Sequence, residues 1–98
     1  MNDLTPLLKT NPTMLVMFYA TWCPHCQRMQ PIVDDISAQY ADKLKVFKFD
    51  IDENEVLAKQ NNVQAVPTFI LYKNGKEVWR NSGEMTSKAL LSHLTAAF

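Results

Sequence analysis

The sequence predicts an α/β domain of three layers, a mixed four-stranded sheet flanked by helices on both faces. Three observations carry that expectation. Met14-Leu15-Val16-Met17-Phe18-Tyr19-Ala20 is an apolar run without polar alternation, the pattern of a strand covered on both sides. Directly after it the period changes: Met29, Ile32, Val33, Ile36 and Tyr40 recur at i, i+3, i+4, i+7 and i+11, the stripe of an amphipathic helix. Further on, Lys73-Asn74-Gly75-Lys76 sets an Asn-Gly turn between two strand-like runs.

The elements follow in order. Asp3 or Thr5 can cap a short helix through Leu4, Leu7 and Leu8, which Asn11-Pro12 stops. The Met14–Ala20 strand comes next, then the long helix, which Pro24 starts in the first turn where its missing N–H costs nothing. Pro31 falls inside that helix, removes one donor and is expected to kink it. Val46 to Ile51 reads as a second strand and Glu55 to Gln60 as a short helix. Thr68 to Tyr72 is a third strand, and Glu77 to Arg80 its antiparallel partner across the turn. Thr86 or Ser87 caps a last helix with an apolar stripe of Leu90, Leu91, Leu94 and Phe98. A strand–helix–strand start gives a parallel pair, and the hairpin adds antiparallel strands.

The 98 residues suffice for one core, so residues 1–98 are read as a single domain. Apolar residues at 47% and charged residues at 20% make a globular balance. Ten basic against ten acidic side chains leave no net charge and no basic block, so neither nucleic acid nor a membrane surface is an expected partner. The longest apolar stretch is far short of the roughly 20 residues a bilayer span needs. Residues Met1 to Pro6 lack the features of an export signal. The chain is accordingly expected in the cytoplasm, or in the periplasm or outside the cell if such a signal has been removed. A monomer is expected.

Chemistry is concentrated in Cys23-Pro24-His25-Cys26, where the first strand ends and the long helix begins. Unpaired N–H groups and the positive end of the helix dipole stabilise a thiolate at that position. Cys23, beside Trp22, is expected to be exposed and to attack; Cys26, one turn into the helix, is expected to be shielded and to resolve. Thiolate attack on a disulfide, a mixed disulfide and release by the second thiol complete an exchange. Three other readings compete. Zinc needs two more ligands, and only His25 and His93 remain, the first inside the cysteine loop and the second on the last helix. Inert buried cysteines have no reason to occupy a Pro-started helix N-terminus. A structural disulfide across so short a loop is a weak staple.

Trp22-Cys23-Pro24-His25-Cys26 after an apolar strand, Pro31 in the helix, Val66-Pro67-Thr68 before the third strand and Lys73-Asn74-Gly75-Lys76 in the hairpin together resemble the thioredoxin family. The resemblance runs from Met14 to Phe98 and implies a minimal version of that fold, because little chain precedes Met14. It implies a thiol-disulfide oxidoreductase with no organic cofactor or metal, acting on protein thiols and disulfides alongside a reductase or an oxidase. A non-catalytic binding module of the same fold, and a general cytosolic reductant, are the alternatives. By the same resemblance Pro67 is a cis-proline facing the cysteines, Val66 offers its backbone to an extended substrate, and Gly83 keeps a side chain off that surface. Trp22 forms an apolar lip.

Whether the pair acts as reductant, oxidant or isomerase follows from its potential. Family reductants usually carry Gly-Pro between the cysteines, whereas Pro24-His25 resembles the strongly oxidising disulfide oxidases. An imidazole beside Cys23 would favour the thiolate and so the reduced form, making the disulfide a better oxidant. Reference potentials of about −270 and −120 mV differ by roughly 7 kcal/mol, and the matching thiolate pKa values of about 7 and 3.5 account for roughly 4.8 kcal/mol of it. The expected potential is therefore above about −270 mV. Met17 stands where thioredoxins usually place a buried carboxylate, and Lys48 matches that group's lysine partner. Lys48 is then expected either as an unpaired cation below the cysteines or with its amine extended to water. Asp50, Asp52, Glu53 and Glu55 read as a solvated loop and helix start, Trp79 as packing, and His93 as without a role.

Overall fold

A computed structural model describes residues 3–98; Met1 and Asn2, part of the export-signal reading, lie outside the described residues. The elements are α1 (Thr5–Thr10), β1 (Thr13–Tyr19), α2 (Pro24–Gln39), β2 (Lys45–Asp50), α3 (Glu55–Gln60), β3 (Thr68–Lys73), β4 (Lys76–Ser82) and α4 (Ser87–Thr95). The sheet order is β2-β1-β3-β4, with β1 parallel to β2 and the other two pairs antiparallel.

β1 shows why its sequence has no polar face. Leu15 and Met17 point into a core made with Met29, Val33 and Ile36 of α2 and Leu90 and Leu94 of α4. Met14, Val16 and Phe18 point the other way, against Leu4 and against Leu57 and Ala58 of α3. Alternate side chains therefore meet two different helical layers, and a strand so placed must be apolar throughout.

Local chemistry fixes the ends. The Asp3 carboxylate accepts the Thr5 N–H at 2.7 Å, so Asp3 serves the first turn of α1 although Leu4 holds the cap position. Thr86 caps α4, its hydroxyl accepting from Ala89 N at 3.1 Å. Asn74 and Gly75, at φ of 52° and 83°, form the two-residue hairpin turn whose positive φ values the Asn-Gly pair supplies. Helix α2 runs through Pro31. Four expectations need correction. Ala20 and Ile51 fall just past their strands, and β4 extends to Ser82. Phe98 lies beyond α4, not on its stripe; its ring packs instead on Tyr40, centroids 5.3 Å apart.

Topology brings four loops to one edge of the sheet. Parallel β1 and β2 both end there, with Tyr19 opposite Asp50, and antiparallel β3 begins there, with Thr68 opposite Phe18. β4 returns to the same edge at Ser82, opposite Thr68. No helix among the described residues is long and apolar enough to cross a membrane.

The two-sided core makes a direct prediction. Leu15→Ala, at a fully buried position, should lower the unfolding free energy by about 3 kcal/mol in urea titrations. Val56→Ala, on the exposed side of α3, should change it by less than about 0.5 kcal/mol.

Candidate active site

Cys23 occupies the N-cap of α2 with an extended backbone, Pro24 is the first helical residue, and Cys26 lies one turn in. Both cysteines are free thiols, and with Ala20 they form a small buried cluster under Tyr19, Ile51 and Val66. The expectation of an exposed Cys23 is corrected: it is 4% exposed and Cys26 1%. The cover comes from the Val66 loop, whose carbonyl lies 3.8 Å from the Cys23 sulfur and accepts its thiol.

The two sulfurs are nevertheless set apart electrostatically. Hydrogen bonds to Cys23, first from the Cys26 backbone N–H and then from the Cys26 thiol and the His25 backbone N–H, hold its pKa below the ordinary thiol value against the opposing effect of burial; the Arg28 charge adds to them. Cys26 is pushed up to about 11, by burial first and then by the hydrogen bond and charge of Cys23, which together outweigh the lowering effect of backbone hydrogen bonds at Ala20 and at Cys26 itself. A proton removed from the pair therefore leaves from Cys23 first.

The peptide between Val66 and Pro67 is cis. Among the described residues the Val66 N–H has no backbone partner. Gly83 donates its N–H to the Pro67 carbonyl at 2.8 Å. Beyond its two chain neighbours nothing lies within 4 Å of where a Cβ would stand on Gly83, and its φ of +100° is what calls for glycine there. A groove of about 450 Å³ opens beside Cys23 between Trp22, Ile51, Ala58 and the Val63–Val66 segment. Trp22 forms its outer wall, 64% exposed, with its indole N–H donated to Asp52 at 2.9 Å.

Two expected neighbours of the thiolate are elsewhere. The His25 ring bonds the Glu84 carboxylate through Nδ1 at 2.5 Å, and it is the His25 backbone N–H, not the imidazole, that lowers the Cys23 pKa. Lys48 is not an unpaired cation. It faces α2 opposite Met17 in the β1–β2 register, and its amine bonds Gln30 Oε1 at 2.6 Å and the Asp34 carboxylate. Met17 itself is fully buried. The zinc alternative finds no ligand set, since His93 stacks on Trp79 with centroids 4.7 Å apart and His25 is held by Glu84. Among the described residues no three potential metal ligands gather.

Sequence reasoning missed Arg28 and Glu84. Arg28 follows His25 by three residues, a helical spacing that was available to read. Glu84 lies 56 residues beyond Arg28 in the chain, and no local pattern announces that contact.

The thioredoxin family model matches residues 4–96. A chloroplastic thioredoxin Y of Oryza sativa subsp. japonica is 38% identical over 91 residues, which are 93% of this chain and 54% of the rice protein, so the chain spans about half of that relative's length. A thioredoxin of Acidithiobacillus ferridurans is 38% identical over 90 residues, 92% of this chain and 83% of its own. The solved structure of mitochondrial thioredoxin 3 from Saccharomyces cerevisiae, in its oxidised form, superposes with a TM-score of 0.87 at 34% identity, covering 98% of this chain and 92% of that one. Fold, cysteine pair and the neighbouring cis peptide are thus accompanied by relatedness along nearly the whole sequence, and the chain belongs to the thioredoxin family.

Proposed function

We propose that the chain exchanges disulfides with protein substrates, with Cys23 as nucleophile and Cys26 as resolving thiol. The observation that carries this reading is the unequal placement of two adjacent sulfurs. One sits at a helix N-terminus among hydrogen-bond donors; the other is buried one turn below. In the reducing direction the Cys23 thiolate attacks a substrate disulfide, forming a mixed disulfide and expelling one substrate thiolate, which takes up a proton. Cys26 then loses its proton and attacks the Cys23 sulfur; the Cys23–Cys26 bond forms and the second substrate thiol leaves. Two electrons pass from the cysteine pair to the substrate, and the reverse sequence oxidises a dithiol. The electrons reside in sulfur, so no organic cofactor or metal enters.

The groove and the unpaired Val66 N–H suit an extended substrate segment laid beside Cys23, with Trp22 as its apolar wall, Ile51, Ala58 and Val63 lining it, and the bonded Pro67 and Gly83 segments next to Val66. Protein thiols and disulfides are the substrate class, and a reductase or an oxidase resets the pair.

The potential is proposed to lie above about −270 mV. Support comes from the donors and the Arg28 charge that favour the Cys23 thiolate, because anything favouring the thiolate favours the reduced pair and makes the disulfide more oxidising. Met17 supplies no carboxylate to oppose that effect, and Lys48 is occupied by Asp34 and Gln30.

Cys23→Ser should abolish insulin reduction under excess dithiol, and Cys26→Ser should accumulate a mixed disulfide visible by mass spectrometry. Full turnover by Cys23→Ser would end this reading. Because the thiolate is the reactive form and the Cys23 pKa is lowered, its alkylation rate should rise with pH and level off at lower pH than that of free cysteine. Cys26 should stay slow until the pH approaches about 11. A glutathione titration returning a potential at or below the thioredoxin reference would favour a general reductant instead.

A further inference from the structure

Glu84 follows Gly83 in the segment between β4 and α4, and its carboxylate reaches across to the first turns of α2. A single oxygen, Oε1, accepts from His25 Nδ1 at 2.5 Å, from Arg28 Nε at 2.9 Å and from Arg28 Nη2. Arg28 Nη2 also lies 3.0 Å from His25 Nδ1. A nitrogen that accepted from Arg28 would turn its lone pair on the carboxylate as well, so Nδ1 carries its proton toward Glu84. The backbone beside this carboxylate is fixed, because the Gly83 N–H is bonded to Pro67 and the Val66 carbonyl faces the Cys23 sulfur.

The three side chains are 61%, 57% and 37% exposed for His25, Arg28 and Glu84. Ion pairs so exposed add little to stability. Their consequence is felt at the sulfur they adjoin. The charged or titratable side chains around Cys23 are Tyr19 at the end of β1, Cys26, His25 and Arg28 on α2, Asp52 after β2 and Glu84 after β4, and the Val63–Pro67 loop carries none. Asp52 is engaged by Trp22. Glu84 is thus the one carboxylate that engages both basic groups of α2 nearest the cysteine loop.

We propose that Glu84 is a positioning residue for the redox pair: it holds the His25 ring off Cys23, offsets the Arg28 charge, and so restrains the thiolate and limits how oxidising the disulfide can be. This rests on the reading of Cys23 as the redox nucleophile. The mechanism is one-sided, because only the reduced form carries the thiolate and the disulfide is neutral. Removing the carboxylate leaves Arg28 uncompensated and frees the His25 N–H to turn toward the sulfur, and both changes favour the reduced pair. The Glu84 carboxylate, held at about 2 by Arg28 first and His25 second, stays charged across the working range.

The test equilibrates the full chain with glutathione, in which one disulfide and two glutathione thiols give the dithiol and one glutathione disulfide, and follows thiolate absorbance against pH. Glu84→Gln should shift the equilibrium toward the dithiol by about threefold to tenfold, a tenfold change being about 30 mV, and should move the Cys23 titration to lower pH. Arg28→Gln should shift both the opposite way. With Arg28 already replaced, the effect of Glu84→Gln should fall below about half of its value in the native chain. Unchanged equilibrium and titration in Glu84→Gln, movement in the reverse sense, or strict additivity with Arg28→Gln overturns the proposal, as does a change confined to the melting temperature. If the native chain equilibrates with glutathione but turns over no protein disulfide, the functional reading fails while this one is still decided by the variants; if it turns over and Glu84→Gln shifts nothing, this one fails alone.

Discussion

The site depends on one convergence: backbone N–H groups at the start of α2 point at the sulfur of Cys23, while Cys26 is carried one turn deeper into the apolar interior. A helix end has donors without partners, and a sulfur at the N-cap can take them. Cys26 also has backbone hydrogen bonds, but its burial outweighs them. Two chemically identical side chains acquire different acidities because of where one helix begins.

That beginning is fixed by the sheet. β1 ends at Tyr19, its neighbour β2 ends opposite at Asp50, and the Ile51 N–H closes onto the Tyr19 carbonyl at 2.9 Å. β3 and β4 run to and from the same edge, which delivers the Val66–Pro67 and Gly83–Glu84 segments to the sulfur from the other side. The apolar run of β1 and the position of the cysteines are therefore linked: a strand buried on both faces is an interior strand, and the end of this one lies where the loops meet. Lys48 illustrates the limit of that logic. Its register opposite Met17 follows from strand pairing, but its destination is decided by Asp34 and Gln30 on α2.

The layers, the two-sided burial of β1, the hairpin turn and the cysteine pair were legible in the sequence because each is a local signal: a period, a turn dipeptide, a spacing of three. What the sequence left illegible depends on contacts between distant segments. The cover over Cys23 comes from Val66, 43 residues on, and the ring of His25 is claimed by Glu84, 59 residues on. An imidazole beside a thiol in the sequence has no obligation to face it in space, since a carboxylate within reach is the better acceptor. Phe98 departs from its helical stripe for a related reason: α4 closes at Thr95, and the ring finds Tyr40 without helical geometry.

Trp22 presents a large indole surface to solvent while its N–H is tied to Asp52, whose own N–H is bonded to the Asp50 carboxylate at 2.9 Å. An exposed aromatic side chain normally samples several rotamers and loses that freedom when something packs upon it. Here the freedom is already surrendered on folding. A polypeptide that lays an apolar residue against this ring gains contact area without immobilising it, so preorganisation at a single indole shifts the entropic burden of docking from the encounter to the fold.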